Sequence, residues 1–325
     1  MLRIAEKLDA LGINIFGVAF ADEGVILRNA GFKQQIIVLV PETNGNAKIC
    51  CEYGLCPVIY SLDFANALSE SALEFNTIAV GHLFVDTGMN REGLRPDEIP
   101  DFMTKAQNLP NLDINGICTH FATSTSNISF AEKQLKLFEN VVDNLKNSGF
   151  SFKYIHSANS GGLFNLHESQ MNIIRPGIAI YGYPPAPELE ELYSLKPILT
   201  LKTKVISVRK IFPGDTVGYG MEFISDRETH IATIPIGYGD GYFKSNVKKT
   251  QCLINGKRYN FVGTICMDVS MIDIGFDNIK DGDEVTLIGR QGDDYISAYE
   301  IADNTGTIPY EITSAIAERV PRVYI

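Results

Sequence analysis

From residue 1 to residue 182 the chain alternates helix-period with strand-period segments, and this alternation restricts its fold more than any other property. Leu2, Ile4, Ala5, Leu8 and Leu11 recur at helical spacing up to Gly12, so the chain opens on an amphipathic helix. Apolar strand-like runs follow at residues 13–20, 34–40, 57–61, 77–86, 114–122, 152–157 and 172–182, with helical stretches between them, including a long helix over about 129–148. Such alternation specifies a parallel sheet with crossover helices. The strands number seven, whereas closed barrels of this class have eight, each followed by its helix. The expected fold class is therefore an α/β barrel, TIM-like, with the first strand missing. A doubly wound open sheet is the competing architecture, but it would begin on a strand with a glycine-rich first turn, and the chain has neither. The glycines of GYGDGY (237–242) fall in a β-rich region with no helix after them.

Pro184, Pro185 and Pro187, with acidic residues following, mark a linker beyond which the pattern changes. Segments such as LTLKTKVISVRKI, HIATIPIGY and EVTLIGR are short, β-branched and broken by PGD, NGK and KDGD turns. The pattern gives a barrel domain over 1–190 and an all-β domain over 196–325. A short helix is expected near SAYEIADNTG, a last helix opening at Pro309-Tyr310-Glu311, and a closing strand at RVYI (322–325).

Composition narrows the partners. The net charge of −11, with no basic cluster to offset it, argues against nucleic acid and anionic membrane surfaces and leaves a small molecule as the default ligand. The N-terminus carries charges throughout and has no long apolar run, so neither a signal peptide nor a membrane span is read there and the cytoplasm is expected. Six cysteines occur without a CxxC pair or a neighbouring histidine cluster, which predicts reduced thiols and no metal.

The residues richest in chemistry lie in HSANSGGLFNLHESQMNIIRPGIAIYG (156–182). HSANS leads from a strand through a Ser/Gly turn into a helix, so free backbone N–H groups and the Ser160 hydroxyl would face an anion. The next strand carries Arg175 and breaks at Pro176-Gly177, where backbone can approach a ligand closely. Phosphates commonly bind at the loops after the last two strands of such barrels. Ser160 and Gly177 taken singly also suit ordinary turns. Arg175 is harder to dismiss, because an unpaired buried charge costs several kcal/mol and this one stands in an apolar strand. VDTGMNREG (85–93) exposes Arg91 at a strand end, and His120 holds the equivalent place in ICTHFATS. An exposed turn arginine is usually solvated and a lone histidine on an apolar strand usually belongs to the core, but this face of a barrel is where active sites lie. Tyr219 in VGYGMEF and Tyr238 in IPIGYGDGY each stand between glycines. Each is either a packing residue in a sharp turn or a phenol that acts as a base or ligand, which from an ordinary pKa of roughly 10 needs a cationic neighbour.

The motifs VDTGMNREG, THFATS, HSANSGG, RPGIAIYG, VGYG, IPIGYGDGY, GTICMDVSMID, TIPYEI and RVPRVYI, in this order, resemble the pyridoxal 5'-phosphate (PLP) dependent alanine racemases over nearly the whole chain. The resemblance implies interconversion of L- and D-alanine, supplying D-alanine for peptidoglycan, although serine-preferring relatives share these motifs. It implies that Ser160, Gly177, Ile178 and Tyr310 hold the cofactor phosphate, and that Arg175 donates to the pyridine nitrogen and keeps it unprotonated. Tyr219 would take the α-proton from the L-isomer, with His120 in its hydrogen-bond network. Arg91 would help bind the substrate carboxylate, assisted by Tyr238 and the backbone at Met267. Tyr219, Tyr238 and Met267 would come from the other subunit of a head-to-tail homodimer.

Two departures stand out. The family's VKANAYGHG-like motif with the Schiff-base lysine would fall just before the opening helix and is absent from these residues, along with a second base, a further phosphate-binding tyrosine and a first barrel strand. Phe84 stands where many members carry a lysine that, when carbamylated, helps position the residue matching Arg91. The expectation is an N-terminally shortened racemase with impaired turnover; the alternative is a non-catalytic PLP-binding or dimerising paralogue.

Overall fold

Seven parallel strands organise the first half of the chain: β1 (Ile15–Val18), β2 (Gln35–Val38), β3 (Cys56–Ile59), β4 (Ala79–Phe84), β5 (Leu112–Cys118), β6 (Tyr154–Asn159) and β7 (Ile173–Arg175). The structure is a computed structural model describing residues 1–190, 192–247 and 249–325. These fall into two compact units, one of Met1–Ala179 with Pro184–Ala186, the other of Ile180–Tyr183 with Pro187–Ile325. In the first unit each strand pairs with the next in sequence, giving the order β1 to β7 in a nearly closed parallel barrel. Within this sheet β1 and β7 each have one neighbour.

Helix α1 (Leu2–Ala10) precedes β1, and the crossovers are α2 (Ala21–Asn29), α3 (Ala47–Glu52), α4 (Leu62–Glu74), α5 (Ile99–Ala106), α6 (Ile128–Asn147) and α7 (Ser160–Asn165). Their sequences explain them. In α6 the Asn127 side chain caps the N-terminus by accepting the Phe130 N–H, and Ala131, Leu135, Phe138, Val142 and Leu145 recur on one buried face. Ser61 caps α4 in the same way through the Phe64 N–H. Ile36, Val38, Ile59, Leu83 and Ile117 from the strands pack with Phe64, Leu68 and Phe138 from the helices. Each such side chain, fully withdrawn from water, contributes about 1.5–3 kcal/mol. Packing requires a glycine at position 116: a Cβ there would lie 2.3 Å from the His82 ring, so the gap it leaves admits that imidazole into the barrel.

The second unit is antiparallel. Its strands are β8 (Leu201–Lys204), β9 (Ser207–Ile211), β10 (Thr216–Val217), β11 (Phe223–Ile224), β12 (Thr229–Ile234), β13 (Gln251–Ile254), β14 (Lys257–Val262), β15 (Ser270–Gly275), β16 (Glu284–Gln291) and β17 (Asp294–Ile296). The main sheet runs β17-β16-β13-β14-β15-β12-β9 with β8 also on β16, while β10 and β11 form a separate ribbon. Helices α8 (Ala298–Thr305) and α9 (Pro309–Ser314) close the unit. The first is capped by Ser297 and stopped by Gly306 in the left-handed conformation. Arg258 on β14 forks onto Asp294 and also reaches Glu300, tying sheet to helix.

Some expectations are corrected. The terminal RVYI residues form no strand and are exposed. The seventh strand ends at Arg175, because Pro176 supplies no N–H to continue the ladder, and residues 178–181 turn into a 3₁₀ helix. The fifth strand ends at Cys118, which leaves His120 on the loop beyond it. None of the described helices is long and apolar enough to cross a membrane.

Candidate active site

Arg175 is the centre of the first unit's polar architecture. Its Nη1 donates to His156 Nδ1 at 2.6 Å, and its Nη2 donates to the carbonyls of Thr119 at 2.7 Å and Ser157 at 3.1 Å. All three acceptors are neutral, and among the described residues no carboxylate pairs with it and no acceptor takes its Nε–H. Burial lowers the Arg175 pKa from its usual value, and the neighbouring Cys118 opposes the shift. The Cys118 thiol is itself pushed up to about 12, chiefly by burial.

A guanidinium cannot accept, so the direction of the next bonds follows. His156 Nδ1 must be the acceptor, its single proton sits on Nε2, and that proton is donated to His82 Nδ1 at 2.8 Å. Both imidazoles lie fully buried and neutral. Burial, followed by the Arg175 charge, holds His82 down to about 4 and His156 well below its ordinary value.

Beside this cation, Ser160 opens α7 and is buried. Its Oγ accepts the N–H groups of Gly177 at 2.9 Å and Ala179 at 3.5 Å, so the turns after β6 and β7 are joined through one hydroxyl. A Cβ on Gly177 would meet nothing within 4 Å, so open space lies against this backbone, with Ile178 next in line at the head of a 3₁₀ turn. The donor set fits PLP: a hydroxyl and helix-start N–H groups suit a phosphate, and an uncompensated guanidinium suits an aromatic ring nitrogen.

Arg91 stands on the loop after β4 and is ion-paired with Glu92. Together with His120, Phe84, Asp86 and Met89 these two side chains line a small cleft. His120 is held in place through its carbonyl, which accepts from the buried Gln134, whose Oε1 takes the Ala122 N–H. Burial, then the charges of Arg175 and Arg91, depress the His120 pKa to about 3, so its ring is neutral in ordinary conditions.

In the second unit Tyr219 is carried at the tip of the β10–β11 ribbon between Gly218 and Gly220, both at positive φ, and is 77% exposed. Gly218 lies against Thr264, where a Cβ would come within 3.3 Å of the backbone nitrogen. Tyr238, 49% exposed, follows Gly237, whose Cβ position lies 2.1 Å from the Cys266 carbonyl. The Tyr238 N–H donates to that same carbonyl at 3.0 Å and the Gly239 N–H to the Met267 carbonyl at 2.9 Å. Tyr219, Tyr238 and Met267 are thus brought to one loop cluster of the second unit. Tyr310 lies in the first turn of α9, half-exposed, with burial raising its phenol pKa.

Three residues of this architecture are not singled out by the sequence motifs. His156 stands at the head of HSANS and His82 in an apolar strand, and the signal that points to both is a histidine in an apolar run of a barrel whose apolar seventh strand carries an arginine in need of partners. Glu92 leaves no signal beyond its adjacency to Arg91. The lysines of the first unit (7, 33, 48, 105, 133, 136, 146 and 153) lie on helices or just before the N-terminal ends of β2 and β6. None stands at the C-terminal end of a strand, where Arg91, His120, Ser160 and Arg175 gather.

The sequence profile for the alanine racemase N-terminal domain matches residues 1–185, and that for the alanine racemase C-terminal domain matches residues 198–324. The chain is 38% identical over 327 residues to an alanine racemase of Carboxydothermus hydrogenoformans, covering 100% of this chain and 89% of that one. Among solved structures, alanine racemase of Clostridium difficile 630 superposes with a TM-score of 0.93 at 31% identity, covering 99% of this chain and 84% of that one. The Bacillus anthracis alanine racemase with bound L-Ala-P gives 0.89 at 35% identity, covering 95% and 80% respectively.

Proposed function

Because the chain belongs to the alanine racemase family, we propose that it serves as a PLP-dependent isomerase interconverting L- and D-alanine. On this reading it acts as a cytoplasmic homodimer that supplies D-alanine for peptidoglycan. The observation that carries the proposal is the lone Arg175 guanidinium, fixed by neutral acceptors beside Ser160 and the open Gly177 backbone. Ser160, Gly177, Ile178 and Tyr310 would hold the phosphate. When bound, PLP supplies an electron sink that stabilises negative charge at the substrate α-carbon. Arg175 sets how strong that sink is: a guanidinium stays charged, donates a hydrogen bond to the ring nitrogen and does not hand over its proton. Arg91 would bind the substrate carboxylate with Tyr238 and the Met267 backbone, and the neutral His120 ring would join the hydrogen bonds around Tyr219.

Tyr219 is assigned the proton transfer at the α-carbon of the L-isomer, delivered with Tyr238 and Met267 from the second subunit. Inversion needs a proton removed on one face and returned on the other, so a second acid–base group is required. No lysine of the first unit stands at the strand ends to provide it or to bond covalently to the cofactor. The 325 residues by themselves are therefore expected to hold PLP noncovalently and to turn over at least about 10²- to 10⁴-fold more slowly than an enzyme with both bases. The test incubates the purified chain with PLP, reduces with borohydride, and follows intact mass beside D-alanine formation from L-alanine. Saturable PLP binding with slow D-alanine release and little adduct is expected. A stoichiometric adduct on one lysine with full turnover would overturn the lysine argument, and a chain that neither binds PLP nor forms D-alanine would overturn the function.

A further inference from the structure

The loop after β4 is fixed by its backbone and by the Asp86 carboxylate. Asp86 Oδ1 accepts the N–H groups of Gly88, Met89 and Asn90 at 2.9, 3.0 and 3.1 Å. The Leu94 N–H donates to the Phe84 carbonyl and the Asp86 N–H to the Leu94 carbonyl, each at 2.9 Å. Gly93, at φ +102, packs where a Cβ would come within 2.9 Å of Phe84 and of the Asp86 nitrogen. The backbone on either side of residues 91 and 92 is therefore held without help from their side chains, and Asp86 Oδ1 is already committed to the turn.

The Glu92 carboxylate is nonetheless pulled nearly out of solvent, at 11% side-chain exposure, while Arg91 keeps 53%. Its two oxygens receive Arg91 Nε at 2.6 Å and Nη2 at 2.5 Å. An exposed pair of neighbouring loop residues would contribute little, but here one partner is desolvated and the contact is a two-pronged fork. A guanidinium has two such edges. Glu92 occupies the Nε/Nη2 edge, and the Nη1/Nη2 edge has no partner among the described residues. Phe84, on the same cleft, brings no charge to compete for it.

We propose that Glu92 is a positioning residue: it clamps one edge of Arg91 so that the opposite edge is presented to the carboxylate of a small amino acid. This rests on the assignment of Arg91 to the substrate carboxylate. The clamp leaves Arg91 charged and fixes its plane, so a ligand carboxylate finds a rigid fork instead of a mobile surface side chain.

The test is equilibrium binding of propionate, which has the substrate's carboxylate without its amine, to the PLP-loaded full chain. Wild type is compared with Glu92→Leu, Glu92→Gln, Glu92→Asp and Arg91→Leu, with the PLP absorbance and thermal midpoint of each recorded. Loss of the clamp in E92L and E92Q is expected to weaken propionate about tenfold or more, in line with what misplacing a binding group costs. E92D should stay within about threefold of wild type, and PLP absorbance should not change. Where turnover is measurable, KM for L-alanine should rise in the same proportion as the propionate constant, with kcat changed less. E92L binding propionate as tightly as wild type, or more tightly, would overturn the proposal, the second result marking Glu92 as a competitor for Arg91. Equal binding by wild type and R91L would instead remove the assignment of Arg91, and the clamp with it.

Discussion

At the scale of single residues, the chain from Arg175 through His156 to His82 makes the clearest claim. Both imidazoles are neutral in the folded protein, with pKa values held below that of a free histidine, so between the two values the unfolded chain binds more protons than the folded one. Their contribution to stability is therefore present above about pH 6.5 and is lost as pH falls towards 4. Thermal midpoints measured across that range should drop, and His82→Gln should flatten the slope; an unchanged slope would show that the pair does not govern the acid limb. Arg175→Leu leaves His156 Nδ1 and two carbonyls without their donor, at a cost of about 1–3 kcal/mol for each group left buried and unpaired. Lower stability in a urea titration and weaker PLP in an absorbance titration are both expected. The need of Arg175 for partners is legible from one charge in an apolar run. Which groups answer it is not, because His156 and Thr119 meet it only once β5, β6 and β7 lie side by side.

At the scale of elements, the seven strands of the first unit lie where apolar runs are bounded by turn residues, since alternation with amphipathic helices leaves few other ways to bury both faces of a sheet. Strand ends are less legible. The apolar run through His120 continues past Cys118 although the ladder does not, and the run after Pro176 coils into a 3₁₀ turn because proline ends the pairing. The pattern of the closing RVYI residues suits a strand, but they form none. The turns of the second unit are legible as glycine-rich but not as tightly packed. Gly237→Ala would set a methyl carbon 2.1 Å from the Cys266 carbonyl. A destabilisation of at least about 2 kcal/mol is expected in chemical denaturation, with displacement of Tyr238 and Met267 together. A neutral result would mean that the two loops adjust independently.

At the scale of the whole molecule, the second unit exposes Tyr219, Met221, Ile224, Tyr238 and Met267, an apolar and aromatic group unusual on a surface meant only for water. A homodimer covering these residues is expected in sedimentation at micromolar concentration, and a monomer there would count against shared active sites. The barrel sheet adds a separate consequence. Its first and last strands each present a row of backbone donors and acceptors with no sheet neighbour, which is a template for strand addition between molecules. The net charge of −11 sets a like-charge repulsion against that approach in dilute buffer. Salt shortens the reach of that repulsion to about 10 Å at 0.1 M and about 3 Å at 1 M, the latter below the roughly 4.8 Å spacing of paired strands. The colloidal behaviour of the 325-residue protein should thus run opposite to ordinary salting-in: clear at low ionic strength, and scattering light progressively as salt lets one margin find another.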